Sequence, residues 1–227
     1  MDGNSALHQC RATGAQQAVD VPSRQLIDTY EAQVLLSLRE IDQTLKFIQY
    51  AYENESPRAA LEDLATKNLW LPELLFVMRI TDPQGNILAS TNAELDRVDS
   101  AYFQKSIHND SLWVSSPQRG FGFSEAYQHF SRRVNDADRD LAEVVTISVA
   151  SAHFVSGYES SKLDGKGSVG IIGGDGVFLV NRAGNAVSVG DKVDYTSVAG
   201  ANQLSSEGAV VVPSWDGVRR HVRAREL

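Results

Sequence analysis

The 227-residue chain has one cysteine, Cys10, six prolines and 8% aromatic residues, and its 21 Lys plus Arg are outnumbered by 29 Asp plus Glu. A single cysteine excludes an intrachain disulfide and a multi-thiolate metal site. A net charge of -8, with no run of Lys or Arg longer than two, argues against nucleic acid, whose phosphates need a concentrated basic patch. An anionic membrane surface would repel the chain for the same reason. No stretch reaches the ~20 uninterrupted apolar residues of a bilayer span: Leu141 to Gly157 is broken by Glu143, and Val169 to Val180 by Asp175. The N-terminus lacks a basic region followed by an apolar one, so no signal peptide is expected. Leu7-His8-Gln9-Cys10 has the form of a lipid-attachment box but no apolar segment ahead of it.

Catalytic signatures are missing too. The sequence holds no Gly-x-Ser-x-Gly, no His-Glu-x-x-His and no Walker loop, and His8, His108, His129, His153 and His221 never reach metal-ligand spacing. Asp136 and Asp138 lie in a polar turn and read as solvated loop carboxylates rather than an acid/base pair. The expectation is a chain that is not an enzyme and carries no metal or cofactor.

What is present is enough apolar residue, 42%, to bury a core. Residues 1–22 are small and polar without sustained period and read as a flexible leader. Beyond them Ile27, Tyr30, Val34, Leu38, Ile41, Leu45, Ile48 and Tyr52 recur at intervals of three and four, the stripe of an amphipathic helix, while Arg39, Glu40, Asp42, Gln43 and Lys46 fall off it. A helix over 23–54 would be about 45 Å long. That exceeds what its own domain needs, so part of it is expected to reach beyond that domain, to a partner helix or toward a membrane.

A short helix over 57–67 and a helical piece around 100–108 are expected, with strands alternating between turn signals. Leu74 to Thr81, the turn Asp82-Pro83-Gln84-Gly85-Asn86 and Ile87 to Ser90 read as a β-hairpin. Further strands are expected at 112–116, 127–134 and 143–150, the last two antiparallel neighbours across Asn135-Asp136-Ala137-Asp138. Ser168 to Ile172, Gly173-Gly174-Asp175-Gly176 and Val177 to Asn181 repeat the first hairpin, and Val193-Asp194-Tyr195 echoes Val98-Asp99-Ser100, an offset of about 90 that suggests two related units in tandem. Strands near 209–213 and 218–225 follow. The fold class is α+β: a long N-terminal helix (23–54), then two modules with antiparallel meander sheets, 55–160 and a smaller 161–227.

Alternation places Tyr127, His129, Ser131 and Arg133 on one face of their strand, and Phe130, Arg132 and Val134 on the other. In the neighbouring strand Val145, Ile147 and Val149 oppose Val144, Thr146, Ser148 and Ala150. One sheet face is therefore apolar and suits the long helix, and the other is small and polar. Hydroxyls on that polar face, with Arg133 in reach and Tyr102, Trp113 and Phe123 as walls, suit a small-molecule pocket. Arg matches a carboxylate through two parallel hydrogen bonds, so an anionic ligand is expected, with Arg119 and Arg132 as weaker candidates.

The order of these elements resembles the Cache family of extracytoplasmic sensors. The residues that carry the likeness are Tyr30-Glu31-Ala32-Gln33-Val34 through Ile41-Asp42-Gln43-Thr44-Leu45, Val77 through Ser90, Tyr102-Phe103-Gln104, Ser115 through Gly120, Phe130 through Val134 and Ser168 through Ile172. More narrowly, the chain is similar to the double-Cache, PAS-like input domains of bacterial membrane-bound diguanylate cyclases and phosphodiesterases. The resemblance covers residues 24–225. It implies a periplasmic region of an inner-membrane protein, flanked by transmembrane helices outside this sequence, dimeric through its N-terminal helix, with ligand in the membrane-distal module and a cytoplasmic cyclic-di-GMP output. A histidine kinase or chemoreceptor output, or a protein-interaction module without metabolite, is the alternative. The Arg and Trp-Tyr that follow the pocket Tyr in amino-acid-binding members are absent after Tyr102, so an amino acid ligand is not implied. Asp138-Arg139-Asp140-Leu141-Ala142 replaces the usual Asp-x-x-Gly turn, and Gly173-Gly174-Asp175-Gly176 lacks the acidic residue of the cyclase signature and reads as a turn.

Overall fold

The computed structural model describes residues 3–52, 59, 76–91, 103–104, 107–108, 111–120, 123–136, 138, 140–158, 167–173, 175–192, 210–213 and 219–222. The expected helix at 57–67, the echo at 193–195 and most of the helical piece near 100–108 lie outside these residues. The chain divides into two compact units, residues 1–37 with 193–227, and residues 38–192.

Helix α1 runs from Gly3 to Tyr52, about 75 Å at 1.5 Å per residue. It begins where a leader over 1–22 was expected. The apolar stripe reports what a helix buries, and Ala-rich, polar sequence can be helical without showing a stripe. Within the stripe Tyr30, Val34, Ile41, Leu45 and Ile48 are buried, whereas Leu36, Phe47 and Tyr50, off the stripe, are exposed.

Among the described residues the main sheet is antiparallel and has six strands: β1 (Phe76–Thr81), β2 (Ile87–Ser90), β3 (Trp113–Val114), β4 (Gln118–Gly120), β5 (Phe123–Asn135) and β6 (Leu141–Ala150). Its order is β2-β1-β6-β5-β3, with β4 also paired to β5. A 3-10 turn, Ser151–Val155, follows β6. A second sheet is formed by β7 (Ser168–Ile172), β8 (Phe178–Ala183) and β9 (Ala186–Ser188), and a third by β10 (Val210–Pro213) and β11 (Arg219–Val222). The α+β expectation holds in its coarse form, one N-terminal helix followed by antiparallel sheets.

The hairpin β1–β2 and the hairpin β7–β8 share their turn in detail. Asp82 N–H donates to Asn86 O and Gly85 N–H to Asp82 O, and 91 residues later Gly173 N–H donates to Val177 O and Gly176 N–H to Gly173 O. Gly85 and Gly176 adopt φ of 88° and 77°, which glycine takes at little cost. The hairpin β5–β6 closes the same way, Asp136 N–H donating to Asp140 O. All three have a register shift at the last residue of the first strand. Asp82 Oδ1 accepts from the N–H of Gln84 and Asn86, and Asp136 Oδ1 from those of Asp138 and Asp140. The turn is thus a local solution written by an Asx-type or glycine-rich loop, and its recurrence does not by itself mark a duplicated module.

Gly170 in β7 lies opposite Asn181. A Cβ there would stand 2.5 Å from Val180 O and 3.0 Å from Asn181 Cα, both backbone. Gly170→Ala is expected to cost roughly 2 kcal/mol or more of stability in urea denaturation, and Gly157→Ala, whose Cβ meets nothing within 4 Å, less than about 0.5. Similar costs for the two would show that close approach at β7–β8 is unimportant.

Candidate ligand site on the polar face of the sheet

Register fixes which side chains share a face of the main sheet. On one face Ile80, Val145 and Arg132 form a row, and Met78, Ile147, Phe130 and Val114 another. Asp42 of α1 reaches Arg132, which donates to Asp42 Oδ1 from Nε at 2.7 Å and from Nη2 at 2.6 Å. The stripe Ile41, Leu45 and Ile48 therefore lies over this apolar face. Gln49 adds a bond to the carbonyl of Arg133 at 2.6 Å.

Burial tends to raise the pKa of Asp42, but hydrogen bonds from Lys46 and Arg132 outweigh it and hold the carboxyl below its ordinary value. Stabilisation from a lowered carboxylate is complete above the ordinary value of 3.8 and fades as pH falls through the folded one. Because both partners are partly exposed, Arg132→Ala is expected to cost about 1 to 2 kcal/mol, and an Asp42/Arg132 double-mutant cycle to show coupling near 1. Additivity of the two single changes would mean that the ion pair contributes nothing.

The opposite face is polar where it is most buried. One row runs Ser90, Arg79, Thr146, Ser131, Trp113 across five strands, and the next Val77, Ser148, His129. Arg79 is 2% exposed and His129 3%. Arg79 Nη2 donates to Ser148 Oγ at 3.1 Å, and His129 Nδ1 lies 2.7 Å from the same oxygen. Ser131 Oγ and Thr146 Oγ1 are 2.9 Å apart. Ser115, also buried, accepts the His129 N–H on its Oγ at 2.9 Å. Burial, and then the positive charge of Arg79, lower the His129 pKa from 6.5 to about 3. The imidazole is neutral at physiological pH.

Sequence reasoning named His129, Ser131, Thr146 and Ser148, and the structure brings these four together. Trp113 is half-buried on the same face, paired with Ser131. Tyr127 lies one row beyond His129, half-buried, with burial and the charge of Glu125 raising its pKa. Arg133 shares the face but sits toward the β5–β6 turn, where Nε donates to Asn135 Oδ1 at 2.8 Å. Arg119 is exposed on β4. Phe123 begins β5, and Tyr102 lies outside the described residues. Arg132 corrects the expectation: it faces α1 and is held by Asp42. Arg79 was missed. Its strand was read only as the first arm of a β-hairpin, with no faces assigned, and the signal was the alternation Val77, Arg79, Thr81 within it.

Among the described residues no group of three or more His, Cys, Asp or Glu is placed to hold a metal ion. No described helix is long and apolar enough to cross a membrane.

No protein-family model and no curated protein matches the sequence. Among solved structures, the extracellular domain of rpHK1S-Z16, described as a histidine kinase, is similar over 92% of this chain and 88% of that one, with a TM-score of 0.67 and 20% identity. An extracellular ligand binding receptor from Desulfohalobium retbaense DSM5692 matches over 83% of this chain with a TM-score of 0.59 and 13% identity, and the chain spans 35% of that receptor's length. The ligand-binding domain of the Pseudomonas fluorescens chemoreceptor CtaA, in complex with L-isoleucine, has a TM-score of 0.49 and 13% identity over 78% of this chain and 71% of that one. At such identities the likeness to the first two is one of fold.

Proposed function

We propose that this chain is the extracytoplasmic ligand-binding input region of a membrane-bound signalling protein, without catalytic activity of its own. The observation that carries the proposal is the buried polar cluster around Arg79, Ser148 and His129 on the sheet face turned away from α1. These buried polar side chains hydrogen-bond to one another and make a polar surface on one face of the sheet, while the opposite face already supplies the apolar core. The fold shared with extracellular domains of signalling receptors supports the same reading.

In this proposal residues 55–160 form the membrane-distal PAS-like module that takes the ligand and 161–227 a smaller proximal one. The strands β1 to β6 form one sheet and β7 to β9 another, although both sheets belong to the same compact unit, residues 38–192. A ligand that favours one arrangement of sheet and helix would act on α1 through β5, whose Arg132 side chain and Arg133 carbonyl hold Asp42 and Gln49. We propose that α1 pairs with a second copy and that the output is cytoplasmic cyclic-di-GMP turnover. A histidine kinase or chemoreceptor output fits the same fold.

A thermal-shift screen of the purified chain against neutral, anionic and cationic metabolites tests the reading. A ligand at about 100 times its Kd adds about 2.7 kcal/mol and moves the melting point by several degrees. A hit that disappears in Ser148→Val is expected. A flat screen would instead favour a protein-interaction module.

A further inference from the structure

We infer that Gln128 and Ser151 hold an internal water molecule between β5 and the 3-10 turn, and that this water fastens the turn to the main sheet.

The even-numbered residues of β5 share the face that carries Phe130, because the β5–β6 register runs without a shift from Tyr127 to Val134. Gln128 therefore stands on the apolar face, opposite Val149. It is 1% exposed, and its Nε2 has no hydrogen-bond partner among the described residues. One step beyond the pair Tyr127–Ala150, the same register brings Ser151 alongside Ala126 and makes it the diagonal neighbour of Gln128. Ser151 is also 1% exposed, and its Oγ likewise has no partner among the described residues.

A buried polar atom left unbonded is costly, and two of them at neighbouring positions of one face point to a common partner. Water supplies both halves of the bond: Gln128 Nε2–H donates to its oxygen, and one of its own O–H groups donates to Ser151 Oγ. Ala126 and Ser151 bring only short side chains to the position beside the amide. Around them Val149, Phe130 and Phe154 are buried, the two rings 6.0 Å apart between centroids. Surroundings of that kind oppose an ion and admit a small neutral molecule.

The position of the bridge gives it a role. Ser151 opens the turn Ser151–Val155, whose Phe154 and Val155 are buried. Within the unit of residues 38–192 this turn lies against β5 of the main sheet and against β7 and β8 of the second. The water thus ties to β5 the segment that both sheets share.

A crystal structure of the chain and a thermal double-mutant cycle test this. The crystal structure should show a water within hydrogen-bond distance of both Gln128 Nε2 and Ser151 Oγ. Gln128→Met and Ser151→Ala each remove one end of the bridge and strand the other, and each should lower the melting point by roughly 3 to 6 °C. The double variant, with neither polar end left, should lie closer to the wild type than either single change does. Without a bridging water each single variant would instead remove an orphaned group, so an unchanged or raised melting point in the singles would overturn the inference. Additive losses in the double variant would overturn the shared partner. A direct bond between the two side chains in the crystal, or any occupant other than water, would overturn its identity. If Gln128→Met does not fold, the crystal structure and the sign of the Ser151→Ala shift still decide.

Discussion

Lowering the pH from 7.5 to 4.5 should remove about 3 kcal/mol of folding stability through His129 alone. Its folded pKa is about 3 against 6.5 unperturbed, first because it is buried and then because Arg79 is near. Between those values the unfolded chain binds a proton that the folded chain refuses. The contribution is complete above 6.5, declines by about 1.4 kcal/mol per pH unit below it, and levels off near 3. Urea denaturation at the two pH values measures it. His129→Asn keeps a short polar side chain near Ser148 but does not titrate, so the variant's loss between pH 7.5 and 4.5 should be smaller than the wild type's by most of that amount. Carboxylates such as Asp42 are common to both proteins and cancel in the comparison. Identical losses would mean that His129 is protonated in the folded state, and the neutral-imidazole account of the polar face would be wrong.

Leu45→Ala should cost about 2 to 5 kcal/mol. Leu45, Ile41 and Ile48 are fully buried on α1, over a face where Val145 and Val149 are also fully buried and Phe130 is 1% exposed. Truncation loses the transfer energy of the removed carbons and leaves a cavity that a sheet tied to the helix at Arg132 and Arg133 is poorly able to close. For a chain this size the melting point should fall by roughly 5 to 15 °C. Phe47→Ala, two residues away but 42% exposed, should cost less than about 1 kcal/mol. Comparable losses in the two variants would contradict the placement of α1, because only one of them faces the sheet.

Both predictions rest on patterns that the sequence shows unequally. The helical stripe from Tyr30 to Ile48 and the alternation in β5 and β6 were legible because one face of each element meets the core, and burial imposes its period on residue type. The strand β5 was read short at both ends and extends to Phe123 and Asn135. The short strands β4 and β9 have too few residues to show a period. In α1 the first twenty residues escaped notice because they carry no stripe, although they are helical.

The polar site divides along the same line. His129, Ser131, Thr146 and Ser148 were found because two adjacent strands with known alternation face each other in register. Arg79 escaped because faces were assigned only to the strands that became β5 and β6, and not to its own. Arg132 was included because charge alone made it a candidate, and only the approach of Asp42, ninety residues earlier, shows where its charge is used.

The sequence by itself therefore determined the striped part of α1, the longer strands, the hairpin turns and the two-sided character of the sheet, since these follow from neighbours a few residues apart. Tertiary structure decided which strand lies beside which, and with it the union of Arg79 from β1, Ser148 from β6 and His129 from β5 at a single hydroxyl. Pairing between distant strands is selected by the burial of the whole sheet, and no local period encodes it.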